Sequence, residues 1–205
     1  MYATVADIRA EGVSVDSASD DRVTESIQNA MASIERATGW FFEPRHAIFA
    51  LSGRGNATLE VPVPPIRLAN IVIDSNLYSP KDFSFAPPAA SGFHVPMVMY
   101  RAGTFPKGRE NVWLDGHWGY TIATKDAPDG DTPRDIRRAT VLLALQYLPQ
   151  LADPYSVRAP WRLVEERTRD QSYRMESVGD GPLTGNPEVD AILLAYRKPI
   201  SIGAA

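Results

Sequence analysis

Cysteine is missing altogether from the 205 residues. That excludes a disulfide framework and a thiolate metal site, and leaves the redox compartment undetermined. Histidine is scarce. His46, His94 and His117 are the three present, and none stands at i, i+3 or i+4 from another, so a short-spaced ligand cluster is not expected. Asp115-Gly116-His117 comes nearest to a ligand pair and reads as a turn between strand residues. No apolar run approaches the about 20 residues that a bilayer-spanning helix needs. The opening Met-Tyr-Ala-Thr-Val-Ala-Asp-Ile-Arg has no basic region followed by a long apolar run, so no signal peptide is expected and a cytoplasmic site of synthesis is. Cationic excess is also lacking. The net charge is −4 and the pI about 5.4, which argues against a general nucleic-acid binder. An acidic wall past which DNA slides without sticking stays compatible with that balance.

The motifs of common enzyme chemistry are absent as well. Gly53 and Gly55 do not make a phosphate loop, because a third glycine opening a helix is missing and a strand follows. No Gly-x-Ser-x-Gly elbow occurs. Glu165-Glu166 and Asp20-Asp21 are sequence neighbours, and adjacent side chains on a helix or strand point in different directions, so neither makes an acid–base pair. Trp113, Trp118 and Tyr120 are candidates for a sugar-stacking platform, and equally for core or interface positions. No catalytic, cofactor-binding or metal-binding residue is assigned, and the chain is not expected to be an enzyme.

What the chain does contain is helix at both ends and strand between. A hydrophobic share of 44% supports a core, and a charged share of 22% is ordinary for a globular chain. Residues 132–148 form the most pronounced stretch. Thr132 is placed to cap, Pro133 to occupy the first helical position and Asp135 to complete a near capping box. From Val141 to Leu148 apolar residues cover every side, which predicts a buried central helix ended by Pro149 and Pro154. Its first turn carries Arg134, Arg137 and Arg138, where the helix dipole disfavours cations by about 0.3–1 kcal/mol each. These arginines are either solvated, or meet acids elsewhere in the fold, on a neighbouring subunit, or a phosphate.

Thr4 predicts a short capped helix stopped by Gly12. Ser17 or Ser19 caps a longer one to about residue 38, with Val23, Ile27, Ala30, Met31 and Ile34 in one stripe and Gly39 as its end. From 46 to 121 prolines, glycines and short apolar runs replace that periodicity. Residues 46–51 and 58–61 read as a hairpin about the turn 52–56, and 66–73, 77–85, 97–100 and 112–120 as further strands. Residues 86–92 read as an exposed small-residue loop. The stretch 155–176 interleaves Arg158, Arg162, Arg167, Arg169 and Arg174 with acids. Asn186 caps a last helix with Pro187 in first position and Val189, Ile192, Leu193 and Tyr196 in a stripe. Lys198-Pro199 stops it, and Ile200 and Ile202 lie in an apolar tail.

In this order the residues resemble the head-to-tail adaptor (connector, or head-completion) proteins of long-tailed bacteriophages and related gene transfer particles. Tyr2-Ala3-Thr4-Val5-Ala6-Asp7-Ile8 is similar to that family's first helix. Ile34-Glu35-Arg36-Ala37-Thr38-Gly39-Trp40-Phe41-Phe42-Glu43-Pro44-Arg45 is similar to its Thr-Gly-aromatic passage into the first strand. Gly119-Tyr120-Thr121 and Pro133-Arg134-Asp135-Ile136-Arg137-Arg138-Ala139 resemble its return into the core helix. Glu166 through Asp170-Gln171-Ser172-Tyr173 resembles a further segment, with Thr168 and Arg169 standing where small residues are usual. Ile192-Leu193-Leu194-Ala195-Tyr196-Arg197-Lys198-Pro199 resembles the closing helix.

The resemblance implies an α+β fold: a small α-helical bundle core (1–45 plus 121–205) with an inserted antiparallel β-subdomain (46–120) and an extended C-terminal arm. It implies a structural virion neck protein without cofactor, forming a ring homo-oligomer, commonly of twelve subunits, beneath the portal protein. Such a ring extends the DNA channel without sequence-specific binding and offers a docking surface to a stopper or tail-completion protein. The expected location is the virion, after synthesis in the host cytoplasm, with no membrane contact. Candidate contacts with neighbouring subunits or the portal are Arg134, Arg137, Arg138, Arg158, Arg162, Arg167, Arg169, Arg174, Arg197, Lys198, Ile200 and Ile202. Two alternatives are a stopper or tail-completion protein, with 86–92 as an inward loop, and a carbohydrate-binding β module or wall-acting enzyme built on the three aromatics.

Overall fold

A computed structural model describes residues 1–85, 95–152, 165–167, 172–174 and 184–198. Together they make an α+β protein that divides into two compact units, Met1–Gly39 with Arg134–Arg197, and Trp40–Pro133 with Lys198–Ala205.

The first unit is helical. Helix α1 (Val5–Ala10) starts at a capping box, in which the Thr4 hydroxyl accepts from the Asp7 amide and the Asp7 carboxylate accepts from the Thr4 amide. Helix α2 (Asp20–Thr38) is capped by Ser19 and closed by Gly39, whose φ of 77° is the left-handed conformation glycine reaches without strain. Between them Arg9 holds the connection by donating to the carbonyls of Val13, Ser14 and Ala18 and to Asp20. Helix α3 (Arg134–Ala152) packs on α2 and on α4 (Pro187–Tyr196), and Asn186 caps α4 by accepting from the amides of Glu188 and Val189. The predicted α2 stripe faces inward. Val23, Ile27, Ala30 and Ile34 are wholly buried, and Ile8, Ile136, Leu143, Ala144, Val189 and Leu193 complete the core.

Helix α3 departs from expectation at both ends. Thr132 is not its cap; the hydroxyl donates to the carbonyl of Phe42 at 2.8 Å, and the helix begins only at Arg134, leaving Pro133 ahead of it. The hydroxyl is thereby used to hold the segment that leads into the first strand and not to cap the helix. The helix also continues past Pro149 to Ala152. A proline inside a helix removes one hydrogen bond and crowds the preceding turn, and tertiary packing upstream outweighs that cost here.

The second unit is built of two antiparallel sheets. The larger has the order β1 (Arg45–Leu51), β7 (Val112–Trp118), β3 (Pro65–Ile73), β4 (Asn76–Tyr78), and the smaller the order β2 (Thr58–Glu60), β6 (Met97–Tyr100), β5 (Phe83–Ser84). The expected hairpin of 46–51 with 58–61 does not form. β1 pairs with β7 and β2 with β6, so the glycine turn carries the chain from one sheet to the other. Gly53 is pinned there, because a Cβ on it would lie 2.0 Å from the carbonyl oxygen of Pro106. The expected strand 77–85 is broken by Pro80 into β4, a 3-10 turn (Pro80–Asp82) and β5.

A true two-residue hairpin joins β3 to β4 through Asp74 and Ser75, both in the left-handed region (φ 48° and 68°). Gly116 is not at a turn but in the middle of β7. A Cβ there would stand 2.3 Å from the carbonyl oxygen of Arg67, so only glycine lets bulged β3 approach. Leu114, Trp118, Ile71, Ile73, Val98 and Phe105 form this unit's core. Two short paired strands, β8 (Glu165–Arg167) and β9 (Ser172–Arg174), lie within the arginine-rich stretch 155–176, for which the sequence suggested no strand.

Candidate functional site

The arginine turn at the start of α3 meets acids of its own unit. Arg137 is bidentate on Asp7, with Nη2 to Oδ1 at 2.6 Å and Nε to Oδ2 at 3.2 Å. Asp7 also accepts from the Thr4 amide at 2.7 Å, and these bonds, Arg137 foremost, hold its carboxyl below the usual carboxylate pKa. Arg138 lies between Glu11 (2.9 Å) and Glu188 (3.5 Å). Asp135, in the same turn, accepts the Tyr196 hydroxyl at 2.8 and 2.9 Å. The turn therefore ties α1 and α4 to α3, and of the destinations the sequence left open, acids within the fold apply to Arg137 and Arg138. Arg134 is exposed and forms no ion pair among the described residues.

The other candidates divide. Arg197 is exposed at the end of α4. Lys198 donates to the Pro62 carbonyl at 3.1 Å and sits 5.2 Å from the centroid of the Trp40 ring. Arg167 and Arg174 belong to β8 and β9, and their side chains lie outside the described residues. Arg158, Arg162, Arg169, Ile200 and Ile202, and the loop 86–92, also lie outside them.

Trp113, Trp118 and Tyr120 do not make a platform. Trp118 is fully buried, its ring edge-on to Phe49 at 4.7 Å and its indole N–H on the Ala47 carbonyl, while Trp113 lies on the opposite face of the same strand and is 50% exposed. Tyr120 packs with Trp40 and Phe42, at 6.3 and 5.8 Å. The period of two along a strand sends residues 113 and 118 to opposite sides, which removes the basis of the carbohydrate-binding alternative.

The outward face of the four-stranded sheet carries a constellation that sequence spacing did not disclose. Three rows cross it in register. One holds His46, His117 and Arg67; the next Ile48, Asp115 and Asn70; the last Ala50, Trp113, Val72 and Leu77. Asp115 accepts from Asn70 at 2.8 Å and contacts His46 Nε2 at 2.7 Å, and its carboxyl is held below the ordinary range first by the Asn70 bond and then by His46. The rings of His46 and His117 meet edge-on at 5.6 Å. Among the described residues no group of three or more His, Cys, Asp or Glu is arranged to hold a metal ion, and no helix is long and apolar enough to cross a membrane. The alternation of strands β1 and β7 was a usable signal for each strand separately. Their pairing across about seventy residues was not.

No described protein family and no curated protein matches the chain. Solved structures do. A chain from the neck of an empty GTA particle, computed with C6 symmetry, shares 20% identity at a TM-score of 0.60, covering 97% of this chain and 91% of that one. A chain from the neck of the native GTA particle, computed with C12 symmetry, shares 18% identity at a TM-score of 0.57, covering 97% and 90%. A chain from the virion of the native gene transfer agent particle shares 20% identity at 0.54, covering 91% and 81%. The likeness spans both units and identifies a shared fold.

Proposed function

We propose that this chain is a structural protein of a virion neck, the head-to-tail adaptor of a tailed bacteriophage or a related particle. The observation that carries the reading is the likeness over 97% of the chain to chains taken from the neck of a gene transfer agent particle. The order of sequence motifs supports the same family independently. In this role the chain is not an enzyme, and it forms a ring of identical copies, twelve in number, beneath the portal protein. The C12 and C6 symmetries of the similar necks support a ring. The ring continues the DNA channel and presents the next neck or tail protein with a docking surface. Net negative charge suits a wall that DNA must leave freely. In this proposal residues 46–120 form a subdomain inserted in a helical core.

The contact residues of this proposal are the exposed cations Arg134 and Arg197, the arginines of 158–174 and the tail beyond Lys198 with Ile200 and Ile202. Arg137 and Arg138 pair with acids of their own unit, and Lys198 with the Pro62 carbonyl and the Trp40 ring of its own; in this proposal each also borders a neighbouring subunit or the portal. The chain is made in the host cytoplasm and resides in the virion. The test is complementation in vitro. Heads lacking this protein are mixed with the purified chain and with tails, and infectious particles are counted. The full chain restores head–tail joining. A chain ending at Lys198 folds with an unchanged melting temperature and joins few or none. Restoration by the truncated chain overturns the role given to the tail, and no restoration by the full chain overturns the neck reading.

A further inference from the structure

We propose that the paired loops 52–57 and 101–111 of the second unit are the surface this chain turns toward the DNA in the neck, through contacts to phosphates alone. The inference rests on the neck reading above and adds which surface meets the DNA.

The two loops are tied into one knot. The Gly55 amide donates to the Phe105 carbonyl at 2.8 Å, the Phe105 amide to the Asn56 carbonyl at 2.8 Å, and the Gly108 amide to the Gly53 carbonyl at 3.2 Å. Asn111 closes it, its Oδ1 accepting from the Gly53 amide at 2.9 Å and its Nδ2 donating to the Pro106 carbonyl at 3.1 Å. Gly108 leaves no room for a side chain, since a Cβ there would stand 2.6 Å from Asn111 Cγ, and the Lys107 stem lies against Gly55. Backbone packing of this kind fills the inside of the knot and leaves its charged side chains outside.

Those side chains are of one sign in the main. The loops carry Arg54, Arg101, Lys107 and Arg109 against a single acid, Glu110. All four cations are exposed, and none forms an ion pair among the described residues. Of the acids bordering the knot, Asp74 accepts from Asn111 Nδ2 at 3.0 Å, and Asp82 follows the exposed Lys81. The opposite end of the four-stranded sheet, where β1 and β3 begin and β7 finishes, has the reverse balance. Its segments 40–44, 61–64 and 119–133 hold Lys125 against Glu43, Asp126, Asp129 and Asp131. Glu43 there pairs with Arg45, and Asp129 with Arg67. An unpaired cationic knot thus stands out on a chain whose net charge is −4.

The arrangement selects the partner. Four exposed cations spread over two adjoining loops suit an extended polyanion, because duplex DNA presents a charge for about every 1.7 Å of its axis and can engage several at once. Loops do not fill the major groove as a helix or a two-stranded ribbon does, so the contacts stay on the backbone and carry no sequence information. The acidic remainder of the chain repels phosphate and steers the duplex to this end. A few such contacts centre the DNA and still let it slide.

The test titrates the full chain into a fluorescein-labelled duplex, followed by anisotropy over a range of salt. Binding is expected at about 50 mM salt, equal for two unrelated sequences and weakening as salt rises. Arg54→Gln, Lys107→Gln and Arg109→Gln together should keep the native melting temperature, cost at least about tenfold in affinity and make the salt slope shallower by about 2–3, whereas Lys125→Gln changes neither. No binding by the parent chain, or the same slope in the triple variant, overturns the proposed surface and leaves the neck reading standing. In DNA-filled particles, a photo-crosslinking amino acid at position 102 should yield a DNA-linked peptide. Its capture of a protein and no DNA also overturns the surface alone. Absence of the chain from particles overturns both.

Discussion

The pair Asp7 and Arg137 is the sharpest place to measure what the arginine turn does. Asp7→Asn removes the charge but leaves an amide oxygen able to accept from the Thr4 amide, so the cap of α1 is largely spared. Arg137→Met keeps most of the aliphatic stem and removes the guanidinium. The side chain of Asp7 is 23% exposed and that of Arg137 52%, so the coupling belongs near the top of the range for surface pairs, about 0.5–1 kcal/mol. For a chain of this size about 1 kcal/mol moves the melting temperature by roughly 2–4 °C. The double-mutant cycle, read by denaturant unfolding at about pH 7, should return that coupling.

Its pH dependence has a definite sign. The folded-state pKa of Asp7 is depressed below 3.8. The stabilisation is therefore fully present above that value and is lost as pH falls through the folded pKa. Roughly 1 M salt, with a Debye length of about 3 Å, should also shrink it. A coupling of zero at neutral pH, or one that survives unchanged once both states are protonated, would refute the reasoning.

Other outcomes follow from the same geometry. Gly116→Ala pushes a methyl against the Arg67 carbonyl and should cost about 1–3 kcal/mol, seen as a lower denaturant midpoint with an unchanged slope. Lys198→Met loses a cation–π contact and a hydrogen bond to Pro62, and should destabilise by about 1 kcal/mol in thermal unfolding. Asn70→Ala removes the largest influence on Asp115, so the carboxyl titration midpoint followed by NMR should rise toward the ordinary aspartate value.

Local chemistry decided what could be read from the chain alone. The caps Thr4 and Asn186 and the stop at Gly39 act within a few residues and are where the sequence put them, and of the two serines it offered for α2 the cap is Ser19. The α2 stripe worked because one period of 3.6 organises it. Several misreadings involve partners distant in sequence, and others are local, such as the helix that runs on past Pro149 and the strand broken at Pro80. Thr132 gave its hydroxyl to Phe42 instead of to its own helix. The Gly53–Gly55 turn looked like a hairpin but changes sheets. The real hairpin at Asp74-Ser75 lacks the Asn-Gly signature that the left-handed turn normally shows. The surface constellation was hidden for the same reason: Arg67, Asn70, Val72 and Leu77 join His46, Ile48, Trp113 and Asp115 only through strand register. For the arginine turn, position on the helix dipole flagged the anomaly correctly, while the acids that answer it came from two other helices, α1 with its C-cap Glu11 and α4.

The most direct test of the account is electron cryo-microscopy of particles in which this chain carries a small fused tag. The account predicts extra density at the head–tail neck, repeated around the axis with the symmetry of a closed ring. Tag density on the capsid shell or along the tail, or particles that join heads to tails without the chain, would contradict it.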